Sequence, residues 1–348
     1  MSDIKRRKDQ HLDIVLTGDV GPSTDVSPFS AFTFVHEAMP ELSLNEIDIS
    51  AEFLSKPLRA PLLISSMTGG PTRAEAINTA LATAAEAIGV AFAVGSQRIA
   101  IEASGDAGLG KRLRQLAPTI PLLANVGAAQ IAEWPDPTIA LRAVDMIEAD
   151  ALIVHFNPLQ EAVQHGGDTD WRNIRSRLAA VAKASPVPLV AKEVGCGISG
   201  ETARTLVDLG IGVIDVAGRG GTSWAAVEAR RSQDLQHAQI AEAFRDWGIP
   251  TPESILAVRA ACPDVPIIAS GGIRDGIDAA KAIRLGANIV GQAAHLLEAA
   301  LDGPEAVART LQSTIAQIRI ACFCTGSRSL ADLRRAPLSA NLGEHTRL

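Results

Sequence analysis

Beyond residue 60 the chain alternates between short apolar runs and segments whose apolar residues recur at helical spacing. The apolar runs predict strands over 61–66, 91–95, 121–126, 151–156, 188–194, 212–216, 266–270 and 287–291. They are too uniformly apolar for strands with one wet face, which is the pattern of a parallel sheet covered on both sides. The periodic segments predict helices over 74–88, 107–116, 137–148, 171–183, 199–209, 251–262 and 275–285, with a last helix from 304 to about 320. Eight buried strands separated by helices, without a clear break, read as a closed (β/α)8 TIM barrel over 61–320 in a single α/β domain. An open doubly wound sheet would carry a G-x-G-x-x-G fingerprint after its first strand. Thr68-Gly69-Gly70 follows the first strand here without that spacing.

The flanks break the pattern. Residues 1–60 read as an irregular N-terminal extension that opens basic, after which Gly18, Gly21, Pro22 and Pro28 break any long helix. A short strand or hairpin is expected over 46–53. The connection after strand 6, between Gly218 and Pro250, is too long for a simple turn and holds a charged, helical insertion over 225–247. Insertions of this kind at strand ends serve as lids or subunit contacts. The tail, 321–348, is polar and Arg-rich and is expected to pack late or remain partly mobile.

Two consecutive strands near the end of the chain finish in glycine. The run at 266–270 leads into Gly271-Gly272, and the run at 287–290 into Gly291. In a (β/α)8 barrel the turns after strands 7 and 8 hold a phosphate group with backbone N–H donors and the start of a short helix. Glycine is needed there because a Cβ would hold the backbone off the phosphate.

Composition narrows the function. The chain has 348 residues, 47% hydrophobic, with 29 glycines, enough for a large core. Aromatics are 3% and tyrosine is absent, which argues against a base-stacking surface. A formal charge of -7 argues against general binding to a phosphate backbone, so an anionic ligand needs local cations. Cys196, Cys262, Cys322 and Cys324 lack the spacing of a disulfide framework or a zinc site and read as reduced thiols. The charged N-terminus has no apolar signal core, and no apolar run reaches membrane-spanning length, so a cytoplasmic protein is expected.

Polar residues at the C-terminal ends of barrel strands point into the active site. They are Ser65-Ser66-Met67-Thr68 after strand 1, Ser96-Gln97-Arg98 after strand 2, and Asn125 in strand 3. Strand 4 ends in His155, Asn157, Gln160 and Glu161, a density suited to acid–base work beside a metal ligand. A single carboxylate such as Glu161 suffices for Mg²⁺ when substrate phosphates supply other ligands; a solvated glutamate is the alternative. Lys192, inside an apolar strand, needs a partner to offset its burial. It would suit the electron-rich end of a flavin or a Schiff base, or simply pair with Glu193. Arg7 and Lys8 taken alone read as solvated basic residues, and His165-Gly166-Gly167-Asp168 as a mobile loop or a plain turn.

The motifs occur in a recognisable order: MTGG at 67–70, SQR at 96–98, NVGA at 125–128, HFNPLQE at 155–161, GGDTDW at 166–171, KEVGCGIS at 192–199, DVAGRGGTSW at 215–224 and SGGIR at 270–274. Together with RKDQHL at 7–12 the chain resembles type 2, FMN-dependent isopentenyl diphosphate isomerase over nearly its whole length. HFNPLQE and GRGGTSW are the specific part; SGGIR occurs across many FMN barrels. Phe156 stands where leucine is commoner, an apolar exchange.

The resemblance implies FMN contacts at Ser66, Met67, Thr68, Ser96, Asn125, Lys192, Thr222, Gly271, Gly272, Arg274, Ala293 and Ala294. It implies diphosphate contacts at Arg7, Lys8, Ser96, Gln97, Arg98 and Gln160, and Mg²⁺ on Glu161, which gives the basic arm a role. It assigns catalysis to His155, Asn157, Gln160 and Lys192, with Gln160 as a proton relay. The implied reaction converts isopentenyl diphosphate to dimethylallyl diphosphate in isoprenoid biosynthesis, with reduced FMN as acid/base and NAD(P)H, here NADPH, as its reductant. A homotetramer or homooctamer is implied, with no nucleic-acid or membrane partner.

Two other enzymes on phosphate-binding barrels are disfavoured by the residues. An IMP dehydrogenase needs a cysteine in the loop after strand 6, where the chain has Gly218-Arg219-Gly220-Gly221-Thr222-Ser223. A 2-hydroxy-acid oxidase needs a histidine before the phosphate turns, where the chain has Ile267-Ile268-Ala269-Ser270. A flavin- or phosphate-binding sensor would not need the cluster from His155 to Glu161.

Overall fold

A computed structural model describes residues 3–17, 19–67, 73–102 and 108–340. Among the described residues, eight parallel strands close into a barrel: β1 (Leu62–Ile64), β2 (Ala91–Ala93), β3 (Leu122–Gly127), β4 (Ala151–Phe156), β5 (Leu189–Glu193), β6 (Val213–Asp215), β7 (Ile267–Ala269) and β8 (Ile289–Gln292). β8 pairs with β1 through Gly291 and Leu63, which closes the ring and leaves no free edge.

Side-chain alternation sorts the barrel into two cores. Leu62, Ile64, Leu122, Leu152, Leu189 and Ile214 point outward against the helices. Leu63, Leu123, Ile153, Val190, Val213, Ile268 and Ile289 point inward and fill the barrel. The bottom is stoppered by the hairpin Ala51–Phe53/Lys56–Leu58, whose Phe53 and Leu58 join the inner cluster. Strand side chains repeat every second residue. One step above the apolar inner layer therefore come Ser65, Asn125, His155, Lys192, Asp215, Ser270 and Gly291. The barrel's own periodicity thus carries polar residues to its C-terminal mouth.

Several expectations at the flanks are corrected. Residues 3–16 form a helix, Asp3–Leu16, because the breakers begin only at Gly18. Its apolar residues gain burial from the barrel mouth; Leu12 is buried and Val15 and Leu16 pack against the core. The described part of the tail also takes regular structure. The helix Pro304–Cys324 outruns its expected end, and Leu338–Ala340 pairs antiparallel with Phe32–Phe34. That pairing fastens the tail to the N-terminal extension. The expected helix over 137–148 is a 3-10 turn, Pro137–Leu141, followed by the helix Arg142–Ile147.

The insertion after β6 contains two helices, Trp224–Arg231 and Leu235–Glu242, packed on each other. Trp224–Arg231 also packs against Asp3–Leu16 and against Pro158–Val163, the helix after β4. A helix not expected from the sequence pattern, Ala294–Leu301, follows β8. No helix among the described residues is long and apolar enough to cross a membrane.

Candidate active site

The barrel mouth opens into a cavity of 860 Å³, at the upper end of small-molecule and cofactor sites. Its floor is the polar layer of the strands, and its roof is the N-terminal helix with Arg7, Lys8, His11, Leu12 and Val15.

On the floor, His155, Lys192 and Asp215 are successive register partners across β4, β5 and β6. Lys192 Nζ donates to the carbonyl oxygen of Glu193 at 2.6 Å. Asp215 accepts from Ser270 Oγ at 2.6 Å, while its second oxygen has no hydrogen-bond partner among the described residues. Burial pushes the Asp215 carboxyl up, and the Lys192 charge opposes that. The Lys192 charge acts on the Glu193 carboxyl as well as on Asp215, while its ammonium is hydrogen-bonded to the Glu193 carbonyl oxygen. The Glu193 carboxylate accepts the backbone N–H groups of Val194, Gly195 and Cys196. Burial raises its pKa to about 7 against those bonds.

His155 Nδ1–H donates to Asn125 Oδ1 at 2.7 Å, leaving Nε2 as the acceptor. Burial, then the charges of Lys192 and Lys8, push its pKa down to about 3, so the ring is neutral at physiological pH.

The helix Pro158–Val163 follows β4 directly, with proline at its start where a missing N–H costs nothing. It carries Gln160 and Glu161. Asn157 Nδ2 donates to Gln160 Oε1 at 3.1 Å and to Glu161 Oε1 at 2.9 Å. Glu161 Oε2 accepts from Gln164 Nε2 at 3.1 Å and from the Asp168 backbone N–H at 2.9 Å. Every hydrogen-bond donor to this buried carboxylate is neutral, and the Arg7 charge acts on it from the roof. Among the described residues no three His, Cys, Asp or Glu side chains gather as a complete metal site. Glu161 fits a hard cation that draws its remaining oxygen ligands from substrate.

The opposite wall is a backbone cradle. Gly271 and Gly272 have φ of +98° and +72°, and a Cβ on either would meet the backbone of Gly218 or Gly220 within 2.5 Å. The helix Ala294–Leu301 begins beside them, and Arg274, Thr222, Ala293 and Ala294 line the same cavity. Ser65 Oγ, Ser66 Oγ, Gln292 Nε2 and His295 Nε2 are buried at the cavity with no partner among the described residues. Buried polar groups are normally paired. Unpaired donors around a glycine cradle at a helix start fit a phosphorylated cofactor.

The roof is cationic. Lys8 Nζ donates to the Ser96 carbonyl oxygen at 3.2 Å, and its pKa is pushed down to about 7 by burial, then by Arg7 and Arg98. Burial also lowers Arg7. Arg98 is held by Asp168 at 2.8 Å and Glu102 at 3.0 Å.

Of the residues expected from sequence, Ser66, Met67, Ser96, Arg98, Asn125, His155, Asn157, Gln160, Glu161, Lys192, Thr222, Gly271, Gly272, Arg274, Ala293, Ala294, Arg7 and Lys8 meet at one cavity. Gln97 does not line it: its amide donates to the Ala143 carbonyl oxygen at 3.0 Å and accepts from the Asn125 N–H at 2.9 Å. Thr68 lies outside the described residues. Sequence reasoning missed Gln130, His11, Gln292 and His295, which also line the cavity. His11 alone carried a signal, lying four residues after Arg7 and so on the same helix face.

The chain matches the FMN-dependent dehydrogenase family over residues 107–340. It is 59% identical to an isopentenyl-diphosphate delta-isomerase of Stutzerimonas stutzeri, over 95% of this chain and 96% of that one. A protein of the same name from Xanthobacter autotrophicus is 54% identical over 96% and 97%. Among solved structures, a mandelate oxidase variant with a monooxide FMN adduct superposes with a TM-score of 0.68 at 17% identity, covering 98% and 100% of the two chains. A lactate oxidase of Pediococcus acidilactici gives 0.69 at 15% identity, covering 98% and 95%. At those identities the likeness establishes the fold.

Proposed function

This chain belongs to the FMN-dependent isopentenyl-diphosphate delta-isomerases, and we propose that its cavity holds FMN against Lys192 with the substrate diphosphate beneath Arg7 and Lys8. The reaction converts isopentenyl diphosphate to dimethylallyl diphosphate. A proton is added at C4 and another leaves C2, so no net electrons flow. When bound and reduced, FMN supplies the acid–base centre and an electron-rich ring that stabilises positive charge developing on the substrate.

The observation that carries this reading is the polarity of the cavity. A glycine cradle lies on one wall, buried Lys192 and Asp215 on the floor, and a cationic helix across the roof. Gly271, Gly272, Arg274, Ala293 and Ala294 take the cofactor phosphate. Ser66, Met67, Ser96, Asn125 and Thr222 border the remainder of the cofactor, and Thr68 is proposed with them. Lys192 holds negative charge at the flavin's pyrimidine end, with the Glu193 carbonyl oxygen keeping its ammonium oriented.

Glu161 presents its carboxylate to Mg²⁺, and Arg7, Lys8, Arg98 and Ser96 grip the diphosphate. Gln160 borders both the diphosphate and the alkene. Its Oε1 is fixed by Asn157, which supports its assignment as the amide that relays the proton leaving C2. Neutral His155 orients the hydrocarbon without adding charge beside a carbocation-like state. Leu12, Val15 and Trp224 line the cavity and exclude water from it. NADPH is proposed as the reductant. A homotetramer or homooctamer is proposed as well; the exposed Leu235 and Trp247 of the insertion support a subunit contact.

The test is anaerobic assay of the flavin-loaded protein with isopentenyl diphosphate. Activity is expected only when the flavin is reduced and Mg²⁺ is present. Equal activity with oxidised flavin, or after chelation, would contradict the proposal.

A further inference from the structure

The loop after the helix Pro158–Val163 connects two parts of the site that sequence distance separates. Its glycine, Gly167, sits so close to Glu161 that a Cβ would lie 2.0 Å from the Glu161 carbonyl oxygen. Gly167 N–H donates to the Gln164 carbonyl oxygen at 3.1 Å, and Trp171 Nε1–H donates to the Asp168 carbonyl oxygen at 2.9 Å. The loop is therefore fixed on both sides of Asp168.

Asp168 then faces two ways. Its backbone N–H donates to Glu161 Oε2 at 2.9 Å. Its carboxylate accepts from Arg98 Nη1 at 2.8 Å and from Gln130 Nε2 at 3.1 Å. One residue thus holds both the Glu161 carboxylate and the Arg98 guanidinium at the cavity wall. Arg98 has further acidic neighbours in Glu102 and Glu133, at 3.0 and 3.7 Å. Neither of these has a bond to Glu161, so neither can set the spacing between the two groups.

We propose that Asp168 is a positioning residue that fixes the Arg98 guanidinium relative to the Glu161 carboxylate, so that a magnesium diphosphate meets both at once. This rests on the reading that Glu161 faces Mg²⁺ and Arg98 the diphosphate. A rigid spacing lowers the ordering cost of binding, because neither side chain must find its place when the ligand arrives. Metal and diphosphate then bind cooperatively, and the coupling runs through this loop.

The experiment is titration calorimetry of the FMN-loaded protein with inorganic pyrophosphate, with and without Mg²⁺. In the wild-type protein Mg²⁺ is expected to tighten pyrophosphate binding. Asp168→Asn retains the N–H but loses the charge that holds Arg98. It should weaken magnesium pyrophosphate by roughly ten-fold, the scale of a lost hydrogen bond to a charged group. Asp168→Glu should restore part of the loss. In the double variant with Arg98→Gln, the loss should not exceed that of Arg98→Gln alone. Retained flavin and an unchanged melting temperature exclude misfolding as the cause.

If Asp168 is only a counter-ion that competes with the ligand, Asp168→Asn will bind pyrophosphate more tightly; tighter, unchanged or additive results overturn the proposal. Glu161→Gln separates this from the parent reading. Should that variant keep the wild-type response to Mg²⁺, the metal assignment itself fails and the proposal falls with it.

Discussion

His11 Nε2–H donates to the Glu228 carboxylate at 2.9 Å, and this bond docks the N-terminal helix on the helix that follows β6. Glu228 is buried, and Arg231 holds its other oxygen at 2.8 Å. Burial would raise the Glu228 carboxyl, but His11 and Arg231 bring it below its ordinary value. His11 also meets Trp224 edge-on at 5.3 Å. Because Arg7 and Lys8 lie one turn earlier, the dock places the cations over the cavity. His11→Ala should weaken pyrophosphate binding by roughly ten-fold, the scale of a lost bond to a buried charge. FMN affinity should not change. Calorimetry with each ligand checks both.

Lys8 gives the site a pH dependence. With a pKa of about 7, its amine is charged below that pH and mostly neutral above it in the ligand-free protein. A bound diphosphate favours the charged form and raises that pKa. Binding should therefore take up a proton near pH 7.5, and affinity should fall as pH rises from 6 to 8.5. Calorimetry in two buffers of different ionisation enthalpy counts the proton. Lys8→Met should remove the uptake.

Lys192→Met tests the cavity floor. It removes the cation beside Asp215 and leaves that buried carboxyl with Ser270 as its side-chain partner. FMN should bind more weakly, and turnover should fall roughly 100-fold or more, as when a fixed charge is removed from an active site. Flavin titration and initial rates measure the two losses. Tight FMN binding with full turnover would remove Lys192 from the mechanism.

Gly271→Ala probes the cradle. The substitution needs a left-handed backbone and puts a Cβ 2.1 Å from the Gly218 carbonyl oxygen. Strain of about 1–3 kcal/mol is expected from the backbone conformation, with the clash added to it. The variant should lose FMN on gel filtration and melt several degrees lower.

The barrel was legible because its strands are apolar on both faces and glycine or proline marks many of their ends. The floor followed from position alone: His155 and Lys192 stand at strand ends, where polar side chains reach the mouth. What escaped the sequence were relationships across the fold. Lys192 sits in register with Asp215 on the neighbouring strand, and it meets Glu193 through that residue's carbonyl oxygen while the Glu193 carboxylate turns to backbone N–H groups. The helix Asp3–Leu16 is largely polar, and its apolar stripe has value only against the barrel mouth, so periodicity alone did not reveal it. The resemblance implied a diphosphate contact at Gln97, whose side chain braces β3. Asp168 read as part of a loop because its two bonds join residues 98 and 161.

The most direct test counts dimethylallyl diphosphate formed against NADPH consumed, anaerobically, with FMN, Mg²⁺ and limiting NADPH. The account predicts many product molecules for each NADPH, since the reductant primes the flavin and is not spent on the substrate. One product per NADPH, or a reduced product in place of dimethylallyl diphosphate, would contradict it.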